Sequence, residues 1–110
     1  RKHIFISGTA SIDNRGEVVY PGNIAGQTRR MLLNIEALLK EAGSSLADLA
    51  QMIVYLRDIA DYPIVRDLME QQFPDVPKVI VLAPVCRPGW LIETECIAIK
   101  AGGNPEFRNL

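Results

Sequence analysis

A chain of 110 residues, 48% apolar and 23% charged, suits one globular domain with a solvated surface. A net charge of -1 and a pI near 5.8 leave no basic footprint for nucleic acid or an anionic membrane. No apolar run approaches a membrane span, and the single histidine, His3, makes a His-based metal site or triad a poor reading.

Ile4, Ile6 and Gly8 alternate with His3, Phe5 and Ser7, which predicts a first strand. Asp13-Asn14-Arg15-Gly16 is turn chemistry, and Glu17–Tyr20 reads as a short second strand. A helix starts after Pro21-Gly22-Asn23. Its apolar stripe is Met31, Ile35, Leu38 and Ala42, widened by Leu32 and Leu39, and Gly43 stands where a helix-ending glycine belongs. Met52–Leu56 reads as a buried strand. Asp61 is placed to cap a second helix with Pro63 in its first turn, and Val65, Leu68, Met69 and Phe73 form its stripe. Val79–Cys86 and Trp90–Lys100 are the last two strands, and Gly102-Gly103-Asn104-Pro105 begins a tail.

The order β-β-α-β-α-β-β predicts an α+β fold: a mixed sheet with two helices packed on one face. The other face is left bare although its strands are apolar on both sides. Its expected cover is another copy of the domain, or a sister domain.

The stretch VCRPGWLIETE, from Val85 to Glu95, carries the candidate chemistry. Glu93 and Glu95 lie two apart on one strand, hence on one face and about 6–7 Å from each other. Leu91, Ile97 and Ile99 share that face and argue against simple solvation. Arg87, fixed by the turn at Pro88-Gly89, is suited to clamp a carboxylate through two N–H groups; its structural alternative is a salt bridge to Glu93 or Glu95. Cys86 beside it is either a thiol of lowered pKa or a small buried hydrophobe. Cys86 and Cys96 are the only cysteines, at a spacing that fits no zinc motif, which points to a reducing, cytoplasmic setting. Lys78 is an exposed cation that can reach a ligand, Trp90 a packing residue, and His3 a surface residue near the terminus.

The segments FISGTASI, GQTRRMLLNIEALLKEAG, VYLRDIADYPIVRDLMEQQF and IETECIAI resemble the Rid superfamily (YjgF-type, endoribonuclease L-PSP), over Ile4 to Ile99. The resemblance implies a chorismate-mutase-like fold, trimers, and ligand clefts between subunits. Well-known members hydrolyse enamines and imines to ketones and ammonia, and older descriptions speak of endoribonuclease or translation inhibition. Glu93 falls on the family's water-holding glutamate and Ser7-Gly8 on its cleft-lining pair. Pro77-Lys78 stands where imine hydrolases carry a substrate-holding arginine, and Arg66 where they carry an asparagine. That departure implies weak imine hydrolysis. FISGTASI, VYLRDIADYPIVRDLM and VCRPGWLIETE also look like the C-terminal half of chorismatases, which cleave pyruvate from chorismate with water. On that resemblance Arg1 begins a half-domain of a longer chain.

The expectation is therefore one Rid-like domain over residues 1–101 with a tail over 102–110. Glu93 and Glu95 are the catalytic candidates; Arg87, Cys86, Ser7, Gly8 and Lys78 bind substrate. No metal or organic cofactor is implied. The partners are a small carboxylate metabolite and either two further copies or a sister half, with neither nucleic acid nor membrane. The leading reaction is chorismatase-like hydrolysis of an enol ether. The alternatives are enamine or imine hydrolysis and a non-catalytic ligand-binding module. Ribonuclease activity ranks lowest, for want of a basic stripe and stacking aromatics.

Overall fold

Alternation at the start of the chain does produce a strand. In the computed structural model, which describes residues 2–85 and 87–100, β1 spans Lys2–Thr9. Ile4 and Ile6 are buried on one face, while His3, Phe5 and Ser7 point to the other. The segment Glu17–Tyr20 does not form the expected second strand. It contributes one isolated antiparallel bridge, Ile12 to Val18. Tyr20 sits at φ 59°, outside the extended region, so pairing cannot continue through it. The loop is held by other means. The Asp13 carboxylate accepts from the N–H groups of Arg15 (2.8 Å) and Glu17 (3.0 Å), and the Ser11 hydroxyl donates to the Val19 carbonyl (2.8 Å).

Helix α1 spans Ile24–Glu41, its first turn capped by the Asn23 side chain, which accepts from the Gly26 N–H at 2.9 Å. It buries Ile24, Met31, Leu32, Ile35 and Leu39. Leu38 and Ala42, assigned to the stripe by spacing, lie at its edge: Leu38 is exposed and Ala42 half-buried. Beyond Ala42, Gly43 takes φ 76° and ends the helix. Lys2 and Lys100, from neighbouring strands, donate to the carbonyls of Ala42 and Gly43, where the helix dipole favours cations.

Strand β2 is Leu49–Leu56, α2 is Tyr62–Gln72, β3 is Lys78–Leu82 and β4 is Ile92–Lys100. Asp61 occupies the cap position of α2 without making a side-chain capping bond, and Pro63 lies in the first turn as expected. The sheet order is β1-β4-β2-β3, with β4 antiparallel to β1 and β2, and β2 parallel to β3. β3 and β4 therefore form no hairpin, because β2 lies between them. β3 ends at Leu82 rather than Cys86 and β4 begins at Ile92 rather than Trp90, so residues 87–91 form a loop that runs into β4.

The expected α+β arrangement stands: a mixed sheet with both helices on one face. Met52, Val54, Leu56, Ile92, Cys96 and Ala98 meet Met31, Ile35, Leu39, Val65 and Met69 in one core. The opposite face carries Phe5, Ile53, Tyr55, Val79, Val81, Glu93, Glu95 and Ile97 and has no helical cover among the described residues. Phe5 is 73% and Val79 57% exposed there. No helix is long and apolar enough to cross a membrane among the described residues. The proposed tail, residues 102–110, lies outside them.

Candidate active site

The two carboxylates owe their setting to an irregularity in β1. Ile6 pairs with Cys96 and Thr9 with Thr94, so Ser7 and Gly8 together face Glu95 alone. This is a bulge, a device that re-aims side chains and recurs beside active sites. The Glu93 carboxylate occupies the space over Gly8. A Cβ at residue 8 would stand 2.1 Å from Glu93 Oε1 and 3.0 Å from its Cδ, so only glycine admits the carboxylate in this place. The structure thus brings Glu93, Glu95, Ser7 and Gly8 together.

Tyr55 joins them. It is the cross-strand partner of Glu93, and its hydroxyl donates to Glu95 Oε1 at 2.6 Å. That hydrogen bond raises the tyrosine pKa first; loss of hydration and the charges of Glu95 and Glu93 add to it. Beside Glu95 lies a hollow of about 290 Å³ walled by Phe5, Ser7, Gln51, Ile53 and Ile97. Sequence reading passed over Tyr55. Alternation along β2 was the available signal, because Met52, Val54 and Leu56 are buried and Tyr55 must face the other way.

Arg87 stands in the loop that leads into β4. Its Nη1 donates to the Gly16 carbonyl at 2.9 Å, and its guanidinium carbon lies 5.5 Å from the centre of the Trp90 ring. The turn around it is clamped from behind. The Gln27 amide, fully buried, donates to the Gly89 and Tyr20 carbonyls (3.1 and 3.2 Å) and accepts from the Leu91 N–H (3.0 Å). Arg57 donates to the carbonyls of Trp90 (2.7 Å) and Arg87 (2.5 Å). Trp90 is buried as expected, with its indole N–H unpartnered. Cys86 lies outside the described residues. Cys96 is buried, and burial pushes its thiol up to about 11.

Lys78 points to the helical side of the sheet. Its Nζ donates to the Phe73 carbonyl at the end of α2 (2.7 Å) and pairs with Glu70 at 3.7 Å. It shares a cleft of about 260 Å³ with Tyr62, Arg66, Glu70 and Ile80. Arg66 there stacks on Tyr62 at 5.6 Å and pairs with Asp67 at 3.3 Å. Within one chain, Glu93 and this cationic cleft lie on opposite faces of the sheet.

The Endoribonuclease L-PSP family model matches residues 1–100. The chain belongs to that family. It is similar to the 3-aminoacrylate deaminase RutC of Acinetobacter baylyi, at 34% identity over 97 residues, covering 86% of this chain and 77% of the relative. Among solved structures, this L-PSP family chain resembles one from Thermotoga maritima (31% identity, TM-score 0.80, 91% of this chain and 80% of that one). It also resembles Escherichia coli TdcF with bound serine (25% identity, TM-score 0.78, 90% and 81%). Rid-type membership and the α+β fold, expected from the sequence, are established by these matches.

Proposed function

We propose that this protein is a deaminase of small enamines and imines, with Glu93 handling the attacking water. The observation that carries the reading is the seating of the Glu93 carboxylate over Gly8 at the bulge. A carboxylate so fixed is suited to orient a water, take its proton as oxygen adds to the C=N carbon, and return the proton to nitrogen. The same carboxylate then carries the remaining hydroxyl proton of the carbinolamine to nitrogen as the C–N bond breaks, giving a ketone and ammonia. Similarity to a 3-aminoacrylate deaminase supports this reaction class.

A substrate carboxylate needs a cation. Arg66 and Lys78 line one cleft, and Arg66, with half its side chain exposed, is the better anchor, since Lys78 is tied to Phe73 and Glu70. Because that cleft and Glu93 lie on opposite faces, a working site needs two copies. We place the anchor of one beside Glu93 of the next, in a homotrimeric ring covering the apolar face. A sister half would serve the same geometry. A reducing, cytoplasmic setting accords with the free Cys96 thiol. The chorismatase-like reading has less behind it. It rests on the likeness of FISGTASI, VYLRDIADYPIVRDLM and VCRPGWLIETE to one half of those enzymes, and the Arg87 guanidinium in the last of them is engaged with Gly16 and Trp90.

The test is a coupled reaction in which a dehydratase releases 2-aminoacrylate. The parent protein should speed ketoacid release and Glu93→Gln should not. A well-folded parent that leaves the rate unchanged refutes the reading.

A further inference from the structure

We propose that the cationic cleft at Arg66 continues into an apolar subsite, where Ile59 and Leu82 select 2-imino acids with aliphatic side chains of three or four carbons. This rests on the deaminase reading and on Arg66 as its carboxylate anchor. Next to the cleft lies a second hollow, of about 230 Å³, walled by Leu56, Ile59, Tyr62, Ile80, Val81 and Leu82. Tyr62 and Ile80 line both spaces, so the two adjoin. Charge stops at that junction. Arg66, Glu70 and Lys78 stand in the first space, and among the described residues no charged side chain walls the second.

The elements set the two ends in line. Tyr62, Arg66 and Glu70 recur every four residues along α2 and so form one row. Lys78, Ile80 and Leu82 alternate along β3 and share the face turned to that helix. The two rows wall one groove, polar at its Glu70–Lys78 end and apolar at its Leu82 end. Ile80 packs against the core and fixes the floor. Ile59, 69% exposed, and Leu82, 60% exposed, leave apolar surface uncovered at the far end. The Arg66 guanidinium carbon lies 5.6 Å from the centre of the Tyr62 ring, which holds the anchor at the junction. One helical turn, about 5.4 Å, separates the level of Arg66 from that of Tyr62. A carboxylate held at Arg66 therefore lays a side chain of three or four carbons over Tyr62, toward Ile59 and Leu82. A methyl group falls short of both.

An L-amino acid oxidase supplies the 2-imino acids of leucine and alanine in place, and semicarbazide competing for them reads the rate of hydrolysis. Each imine takes up one water and leaves as a 2-oxo acid and ammonia, so the two differ by side chain alone. The parent kcat/KM should be at least about tenfold higher for the leucine imine, since each buried methylene is worth about fourfold. Ile59→Asn and Leu82→Asn should each cut that preference about fivefold or more. Arg66→Lys should raise KM for both imines and keep the preference. Ile59 and Leu82 are exposed, so their variants should melt as the parent does. A parent that treats the two imines alike overturns the proposal, as do Ile59→Asn and Leu82→Asn variants that keep the parental preference. Calorimetry with the stable products, 4-methyl-2-oxopentanoate and pyruvate, separates this from failure of the deaminase reading. If neither imine nor 2-aminoacrylate is hydrolysed, the reaction assignment falls. The subsite then stands if 4-methyl-2-oxopentanoate binds at least about tenfold tighter than pyruvate, and falls if the two bind alike.

Discussion

Gly8→Ala separates seating of the Glu93 carboxylate from stability of the fold. The added methyl carbon would lie 2.1 Å from Glu93 Oε1, so the oxygen must retreat by at least about 1.3 Å to reach ordinary contact distance. The intruded group is the end of a flexible side chain, and Gly8 has no left-handed backbone to preserve. An off-rotamer adjustment of Glu93 costs about 0.5–1.5 kcal/mol, and replacing glycine returns about 0.4–1 kcal/mol by restricting the unfolded chain. The net change in stability should stay within about 1 kcal/mol, or a Tm shift within about 5 °C. Turnover should suffer far more, since a 1 Å misplacement of a reacting group costs about 100-fold. The assay is kcat in the coupled dehydratase reaction beside a thermal melt of the same sample. Turnover within about threefold of the parent would refute the seating argument, and a Tm loss above about 10 °C would show that Gly8 serves the fold instead.

Lys78→Met should keep the packed stem but strip the Phe73 carbonyl of its donor and Glu70 of its partner, lowering stability by about 1–2 kcal/mol in urea denaturation. An unchanged urea midpoint would mean that the lysine does not close the end of α2. The Cys96 thiol, raised by burial to about 11 from 9.0, gives a pH prediction with a definite sign. Its contribution is intact below pH 9 and is lost as pH rises toward 11, because the unfolded chain releases the proton first. In a Cys86→Ser background, the urea midpoint should fall over that window, and the fall should shrink when Cys96 is replaced by alanine.

The helices and the buried strands were legible because their apolar spacing is set by local geometry. Ile4 and Ile6, Met31 and Ile35, and Val65 and Met69 are all buried where the spacing put them. What failed depended on single backbone torsions or on pairing over long distances. Glu17–Tyr20 has the composition of a strand, but the positive φ of Tyr20 turns the chain away. Cys-Arg-Pro-Gly looks like a hairpin turn, yet β2 enters between β3 and β4, and no local pattern reports that insertion. The glutamate face was legible from period two. The bulge that aims Glu93 at Gly8 was not, because it arises from the offset between β1 and β4. The partners of Arg87 and Lys78 were equally hidden: both donate to backbone carbonyls, which every residue carries.

Subunit complementation tests most directly the claim that Glu93 of one copy works with the cationic cleft of another. Glu93→Gln and Arg66→Ala should each abolish turnover alone while associating as the parent does. Refolded together in equal amounts, random assembly gives each site an intact half from both neighbours about one time in four. The mixture should therefore recover about a quarter of parental deaminase activity. A mixture as inactive as its two components, with mixed assemblies demonstrably formed, would contradict the account.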